Sequence, residues 1–170
     1  MTNAFLFDAR DECDTDRLAE ALATWVPDGT TIALLGPLGA GKTRLVRGIA
    51  AALGVPADVV ISPTFVLCQV YEGKRTLCHL DVYRLRNVSE FMELGVDEML
   101  DSSAITIIEW ADRVTEYLPT CRLEISIELV DSTTRRFGVR ATDHQLACVL
   151  SRLQIQMAAG ESSHHNHNLD

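Results

Sequence analysis

The chain has 170 residues, of which 47 % are hydrophobic and 23 % are charged. This length fits one domain that buries roughly two-thirds of its surface, and the composition is that of a globular rather than a disordered protein. The formal net charge is −9, from 24 acidic and 15 basic side chains. Repulsion by phosphate backbones therefore argues against a protein that binds nucleic acid unaided.

The sequence shows neither a transmembrane helix nor a secretory signal. No apolar run reaches the ~18 residues of a transmembrane helix. The N-terminal sequence also lacks the basic region and apolar core of a secretory signal. These features predict a cytoplasmic protein with no membrane partner.

Five cysteines are spread widely along the chain, with neither a C-x-x-C pair nor the Cys/His spacing of a zinc site. They are Cys13, Cys68, Cys78, Cys121 and Cys148. In the cytoplasm this pattern predicts reduced, mostly buried thiols with no disulfide partner. The spacing of Cys68 and Cys78 would allow these two to face each other across a hairpin.

The first predicted elements are a helix, a strand and a second helix. Thr15 is a suitable N-cap for a helix that carries apolar residues at helical spacing through Trp25. After a turn, residues 30–35 predict a short apolar strand. Residues 43–53 predict the second helix, which ends before a glycine.

The middle of the chain predicts a hairpin, a helix and a buried strand. Residues 65–71 and 76–83 flank a glycine-containing turn, as two paired strands do. Ser89 is a candidate N-cap for a helix that runs to about Leu100. The nearly all-apolar run at residues 104–109 predicts a strand buried on both faces.

The last third predicts another strand pair and a C-terminal helix. Residues 123–129 alternate between apolar and polar, and residues 136–142 are their expected partner. A final helix follows and carries apolar contacts as far as Met157. We therefore expect one mixed α/β domain over residues 1–157, followed by a disordered, polar, histidine-containing tail over residues 158–170.

Between the first predicted strand and the second helix lies Gly-Pro-Leu-Gly-Ala-Gly-Lys-Thr, which matches the phosphate-binding pattern G-x-x-x-x-G-K-[ST] in full. A chance match in a chain of this length is expected on the order of 1 % of the time. Glycines let main-chain N–H groups turn towards phosphates, and the following helix directs its positive end at the same anion. The residues assigned to the nucleotide by this motif are Gly36, Gly39, Ala40, Gly41, Lys42 and Thr43.

Within this motif, Lys42 is expected to reach the β- and γ-phosphates, and the Thr43 hydroxyl to bind Mg²⁺. Two acids, Asp81 and Glu109, lie where apolar strands end. Because ligands of open α/β sheets gather at the carboxyl ends of strands, both acids are candidates for metal binding and hydrolysis. Thr64, in the loop Ser-Pro-Thr-Phe, is a third candidate, although a structural role fits each of these positions from the residues alone.

His79, two residues before Asp81, is interpreted as an ordinary core or surface histidine.

The sequence also bears on which nucleotide is bound. The chain has no N-K-x-D element, and Arg84 stands where the D-x-x-G element of guanine-binding proteins would place glycine. ATP is therefore favoured over GTP.

Several separate motifs together resemble one family. LLGPLGAGKTRLVRGIAAALG, SPTF, HLDVYRL and IIEWADR, followed by Leu-Pro, occur in order over about residues 29–119. In this order and spacing they resemble the TsaE (YjeE) family, the P-loop ATPases of bacterial tRNA threonylcarbamoyladenosine synthesis. The C-terminal strand pair and helix fit the family only in general pattern.

The resemblance implies a P-loop NTPase-like three-layer α/β/α domain with a mixed sheet, which binds ATP and Mg²⁺. It makes Glu109, Lys42 and Asp81 the catalytic candidates, with Asp81 in a Walker-B-like role and Glu109 near the γ-phosphate. Trp110 is expected to lie close to the nucleotide. The metal ligands it implies are Thr43, Thr64, Asp81 and Glu109.

The resemblance also implies how the protein acts. A TsaE-like chain hydrolyses ATP weakly alone and works with the TsaB–TsaD pair, in which TsaD transfers threonylcarbamoyl to adenosine 37 of tRNA. Contact with tRNA would then be indirect, which agrees with the acidic net charge. A small P-loop metabolite kinase is the alternative from another class, and a nucleotide-gated assembly protein is a second alternative.

Overall fold

A computed structural model describes residues 4–56, 59–60 and 67–164 of the chain. The strands in these ranges are β1 (Ala4–Ala9), β2 (Thr31–Leu35), β3 (Cys68–Tyr71), β4 (Leu77–Asp81), β5 (Ile105–Glu109), β6 (Arg122–Leu129) and β7 (Arg135–Ala141). The helices are α1 (Glu12–Trp25), α2 (Lys42–Ala52), α3 (Val88–Glu93), α4 (Val96–Leu100) and α5 (Ala147–His164).

The strands form a seven-stranded mixed sheet in the order β1-β7-β6-β2-β5-β4-β3. β2 pairs in parallel with both β5 and β6, and β4 pairs in parallel with β5. The two edges are antiparallel, because β3 pairs with β4 and β7 pairs with β6 and β1. The carboxyl ends of β2, β5 and β4 consequently lie side by side at one edge of the sheet.

Apolar side chains on the two faces of the sheet form separate clusters. One cluster includes Leu18 of α1, Leu45 of α2 and Leu150 of α5, all packed on the same face. The other includes Phe91 of α3 and Val96 of α4 on the opposite face. The predicted three-layer α/β/α arrangement with a mixed sheet is confirmed, and it explains why β4 and β5 are buried along their whole length.

The first strand was missed by the sequence analysis. β1 buries Phe5, Phe7 and Ala9 and turns the residues between them outwards. One of those outward residues, Leu6, is 71 % exposed. An apolar residue on the exposed face conceals the period-two alternation that would have predicted the strand.

The first helix begins earlier than predicted. Its N-cap is Asp11, whose side chain accepts a hydrogen bond from the Asp14 N–H at 2.9 Å. Thr15, the predicted cap, lies within the first turn, and its hydroxyl donates to the Asp11 carbonyl. Aspartate and threonine both cap helices well, so the sequence does not distinguish the two positions.

The single helix predicted from Ser89 to Leu100 was wrong, because the structure has two short helices there. Asn87 caps α3 by accepting from the Glu90 N–H at 3.0 Å. Gly95 then adopts a left-handed φ of 69° and separates α3 from α4. The continuous apolar pattern is preserved across this break, so hydrophobic periodicity alone predicts one helix.

The remaining elements follow the sequence closely, with two differences at their ends. The predicted β3–β4 and β6–β7 pairs are both present and antiparallel, although part of the first predicted strand falls on residues 61–66, outside the described residues. α5 continues through His164, into the segment for which a disordered tail was predicted from residue 158, and residues 165–170 are outside the described ranges.

All five cysteines are free thiols, but the expectation that most are buried was wrong. Only Cys78 is buried, whereas Cys13 and Cys148 lie exposed on helices. The Sγ atoms of Cys68 and Cys78 do face each other across the β3–β4 pair, at 3.6 Å. Within the described parts of the chain, no helix is both long enough and apolar enough to cross a membrane.

Close packing of α1 on α2 depends on Gly48. A Cβ atom at this position would lie 2.6 Å from Ala19 Cβ and 3.2 Å from Asp16 Oδ1. We predict that Gly48→Ala lowers the free energy of unfolding by about 1–3 kcal/mol, because the two helices must separate to accept the methyl group. Thermal unfolding followed by circular dichroism would measure this change.

The matched control is Ala51→Gly, at an exposed position of the same helix. It reports the intrinsic helix preference of alanine over glycine, about 1 kcal/mol, which opposes the predicted effect. A Gly48→Ala variant as stable as the wild type would contradict the close-packing interpretation.

Candidate active site

The loop of residues 36–43 joins the end of β2 to the start of α2. Gly36 has a φ of 145°, and a Cβ atom there would lie 2.6 Å from the Ile127 carbonyl oxygen, so only glycine fits. Gly41, with a φ of 105°, is the N-cap of α2 and provides no side chain to cap it. The N–H groups of the first helical turn are therefore left for another acceptor, as in an anion-binding loop.

Lys42 is buried at the base of this loop, with 4 % of its surface exposed. Its Nζ donates to the carbonyl oxygens of Gly36 at 2.7 Å and Pro37 at 2.9 Å, and lies 3.6 Å from the centre of the Trp110 ring. Burial lowers the pKa of Lys42, while the nearby Glu109 carboxylate, with smaller contributions from other acids, acts in the opposite direction. The loop thus fixes a positive charge beside the main-chain N–H groups.

Glu109 ends β5 and lies directly against the loop. Its carboxylate accepts from the Thr43 hydroxyl, with Thr43 Oγ1 2.8 Å from Oε1 and 3.0 Å from Oε2. Its Oε1 also lies 2.8 Å from Nε2 of His79. Glu109 is only 2 % exposed, so this acid is held by hydrogen bonds from two different elements.

Asp81 ends the neighbouring strand and is the register partner of Glu109 in the parallel β4–β5 pair. It is 3 % exposed, and its Oδ1 accepts from the Tyr83 N–H at 2.9 Å. This hydrogen bond closes the turn that follows the strand. The two predicted acids therefore lie side by side, as expected for carboxyl ends of parallel strands.

Trp110 follows Glu109 in a left-handed conformation, with a φ of 61°. Few residues other than glycine adopt this conformation, and those that do are concentrated at functional sites. The indole ring packs against the Tyr83 ring, with centroids 4.7 Å apart, and against the Lys42 ammonium. The strained backbone thus places an aromatic surface over the loop lysine.

These groups line one cavity of about 320 Å³ at the carboxyl edge of the sheet. A second cavity, of about 420 Å³, lies beside the same loop. The residues around the first cavity are Leu38, Gly39, Gly41, Lys42, Thr43, Arg44, Asp81, Tyr83, Glu109 and Trp110. Those around the second are Asp11, Glu12, Thr15, Gly39, Ala40, Gly41, Arg44, Arg47, Ser132, Thr133, Arg135 and Phe137.

The structure therefore brings most of the predicted site residues together around the loop. Gly36 and Ala40 belong to the loop but do not line the first cavity. Ala40 is fully buried, and its N–H donates to the Pro37 carbonyl. Thr64 lies outside the described residues, so its place near a metal stays a prediction.

Two residues of the site were not predicted. His79 was interpreted as an ordinary histidine, yet it is fully buried and contacts Glu109. Its position two residues before Asp81 was the available signal, because alternate residues of a strand share a face. Tyr83 also lines the cavity, although the strand predicted over residues 76–83 ends at Asp81 and Tyr83 lies beyond it.

The oxygen atoms gathered here fit Mg²⁺. Thr43, Asp81 and Glu109 supply a hydroxyl and two carboxylates, which are the hard ligands that this ion prefers. Among the described residues, no group of three or more His, Cys, Asp or Glu side chains is arranged to hold a metal by itself. Mg²⁺ is usually bound by one or two carboxylates together with phosphates and water.

Comparison with known proteins identifies relatives over most of the chain. A family model described as threonylcarbamoyl adenosine biosynthesis protein TsaE matches residues 9–137. A Treponema pallidum protein named tRNA threonylcarbamoyladenosine biosynthesis protein TsaE is 36 % identical over 131 residues, covering 77 % of this chain and 96 % of the relative. The Bacillus subtilis protein of the same name is 34 % identical over 141 residues, covering 82 % and 87 % respectively.

A comparison of the fold with solved structures also finds a relative. The crystal structure of Bacillus subtilis YdiB matches with a TM-score of 0.78 and 28 % identity, covering 91 % of this chain and 96 % of that one. The sequence matches and the structural match together confirm the P-loop NTPase-like fold and the resemblance that the motifs indicated. The chain belongs to the TsaE family.

Proposed function

We propose that this chain binds ATP with Mg²⁺ at the loop of residues 36–43 and hydrolyses it. We further propose that it is a subunit required for the threonylcarbamoylation of adenosine 37 in tRNA. The observation that carries the proposal is the contact of the loop with the end of β5, where Thr43 donates to Glu109 beside the buried Lys42. The names of the TsaE relatives support the pathway.

The loop would hold the phosphates of ATP by complementary charge. The N–H groups at the start of α2 and the Lys42 ammonium face the same cavity, and both favour an anion. Two carbonyl oxygens accept from Lys42, so one of its three N–H bonds is left to reach a phosphate oxygen. Trp110 and the exposed Leu38 also line this cavity.

The residues that would hold Mg²⁺ are Thr43, Asp81 and Glu109, together with Thr64, which lies outside the described residues. When bound, the ion would neutralise charge that develops on the transferred phosphoryl group. Glu109 is the group best placed to accept a proton from, or orient, the attacking water, because its carboxylate lies at the cavity between Thr43 and His79.

The nucleoside part of ATP would occupy the second cavity. Gly39 and Gly41 line both cavities, so a molecule wrapped around the loop would extend from one into the other. Arg44, Arg47 and Thr133 bring hydrogen-bond donors to this second cavity. Its walls come from the start of α1, from α2 and from the β6–β7 turn.

The proposed partners are the TsaB–TsaD pair, in the cytoplasm, with tRNA bound by them rather than by this chain. The net charge of −9 supports this proposal, because phosphate backbones repel an acidic subunit. The relatives named above are tRNA-modification proteins rather than metabolite kinases. ADP formation by the chain with no added acceptor would also separate hydrolysis from kinase activity.

Lys42→Ala should weaken Mg-ATP binding about ten- to a hundredfold, because a buried charge-assisted contact to phosphate is lost. Isothermal titration calorimetry would measure the dissociation constant, with circular dichroism to show that the fold is retained. Lys74→Ala removes the exposed second lysine and is the matched control. An unchanged dissociation constant for Lys42→Ala would refute the proposed site.

Asp81→Asn should weaken ATP binding in the presence of Mg²⁺ by about tenfold and leave binding in EDTA unchanged. The asparagine keeps an oxygen for the Tyr83 N–H but removes the charge that the metal requires. Asp112→Asn, at an exposed carboxylate near Lys42, is the control. Equal losses with and without Mg²⁺ would exclude a metal-binding role for Asp81.

Glu109→Gln should lower the rate of hydrolysis at saturating Mg-ATP by about a hundredfold or more, because the amide cannot accept a proton. ADP release would be measured with the chain alone and with purified TsaB–TsaD and tRNA, alongside tRNA modification. We expect modification to be lost with hydrolysis. If modification survives, nucleotide occupancy rather than turnover is the useful event, as in a nucleotide-gated assembly protein.

A further inference from the structure

We infer that His79 is a positioning residue for ATP hydrolysis, which acts by holding the Glu109 carboxylate in place. The inference rests on the proposed function, because it assigns a role within the same site. It starts from a contact between two buried side chains: Nε2 of His79 lies 2.8 Å from Oε1 of Glu109, and their side chains are 0 % and 3 % exposed.

Sheet geometry explains how the two side chains meet. His79 and Asp81 are alternate residues of β4, so their side chains leave the same face of the strand. β4 runs parallel to β5, with Asp81 in register with Glu109. Histidine is long enough to reach Glu109 from two residues earlier in β4.

The Thr43 hydroxyl contacts the same carboxylate oxygen of Glu109 as His79 does. Oε1 of Glu109 lies 2.8 Å from both Nε2 of His79 and Oγ1 of Thr43. One carboxylate oxygen is therefore held from β4 and from α2 at the same time. Two contacts from separate elements fix the orientation of a side chain that one contact would leave free to rotate.

Packing alone does not account for a histidine at this position. Nδ1 of His79 is buried and has no hydrogen-bond partner among the residues that the structure describes. An unsatisfied buried polar atom destabilises a fold, and an apolar side chain of similar size would avoid that penalty. What histidine supplies at this position is the hydrogen bond from Nε2 to Glu109.

The test uses two amides of different length. The side-chain nitrogen of glutamine lies close to the position of histidine Nε2, whereas that of asparagine lies close to Nδ1. His79→Gln should therefore keep the hydrogen bond to Glu109, and His79→Asn should lose it. Both replacements are neutral and polar, so they carry a similar penalty for burial.

We expect kcat for ATP hydrolysis to fall about 10- to 100-fold in His79→Asn, with KM for ATP changed by no more than about twofold. His79→Gln should restore kcat to within about threefold of the wild type. In the Glu109→Gln background, His79→Asn should cause little further loss, because residues that act as a unit are not additive.

Thermal unfolding of each variant separates positioning from a general structural role. If kcat follows the melting temperature in both variants, or is unchanged in His79→Asn, the inference is overturned. His79→Leu is the second variant should asparagine prevent folding; it fills the site without a donor, and wild-type kcat in that variant would also overturn the inference.

The proposed function and the inference fail in different ways. Absence of ADP formation by the wild-type chain, both alone and with TsaB–TsaD and tRNA, would overturn the proposed function and the inference with it. Wild-type hydrolysis that is insensitive to the replacement of His79 would overturn only the positioning role.

Discussion

The site depends on the burial of three ionisable side chains together at one edge of the sheet. Lys42, Asp81 and Glu109 are each less than 5 % exposed. Isolated charges in such a place would be strongly destabilising, so each must be compensated by its neighbours. The loop carbonyls accept from Lys42, the Thr43 hydroxyl donates to Glu109, and a main-chain N–H donates to Asp81. This mutual compensation fixes the groups relative to one another.

Parallel pairing of the central strands makes this arrangement possible. β2, β5 and β4 are adjacent and point the same way, so the loop after β2 and the acids that end β5 and β4 meet without long connections. Antiparallel pairing would place alternate strand ends at opposite edges. The clusters on both faces of the sheet then keep water away from the strands, which strengthens electrostatic interactions at their ends.

The conformation of the loop of residues 36–43 could be predicted from the sequence because its signal is local. Lys42 and Thr43 are fixed by their spacing from glycines whose backbone conformations no other residue adopts easily. Asp81 and Glu109 were predictable as candidates because apolar runs end at them. Their direct proximity required the strand order, which no local pattern encodes.

The contact of His79 with Glu109 could not be predicted from the sequence. A histidine in an apolar strand is more often an ordinary core residue than a site residue, and only the neighbouring strand shows what its ring contacts. The same limit applies to β1, where the exposed Leu6 conceals the alternation, and to the break at Gly95, where apolar spacing continues through a turn. The periodic pattern does not reveal a tertiary contact, an apolar residue on an exposed face or a single backbone angle.

The distribution of charge leaves a local positive charge at the loop of an otherwise acidic protein. Many of its arginines are neutralised by carboxylates: Arg44 pairs with Asp16, and Arg122 and Arg140 both pair with Glu124. None of the ion pairs in the described part of the chain involves Lys42, whose hydrogen bonds go to carbonyl oxygens that carry no net charge. The lysine charge therefore lies at the cavity beside the loop, while the net charge of −9 repels polyanions at long range. A charge distribution of this kind disfavours binding to a nucleic-acid backbone while it leaves a local positive charge at the loop.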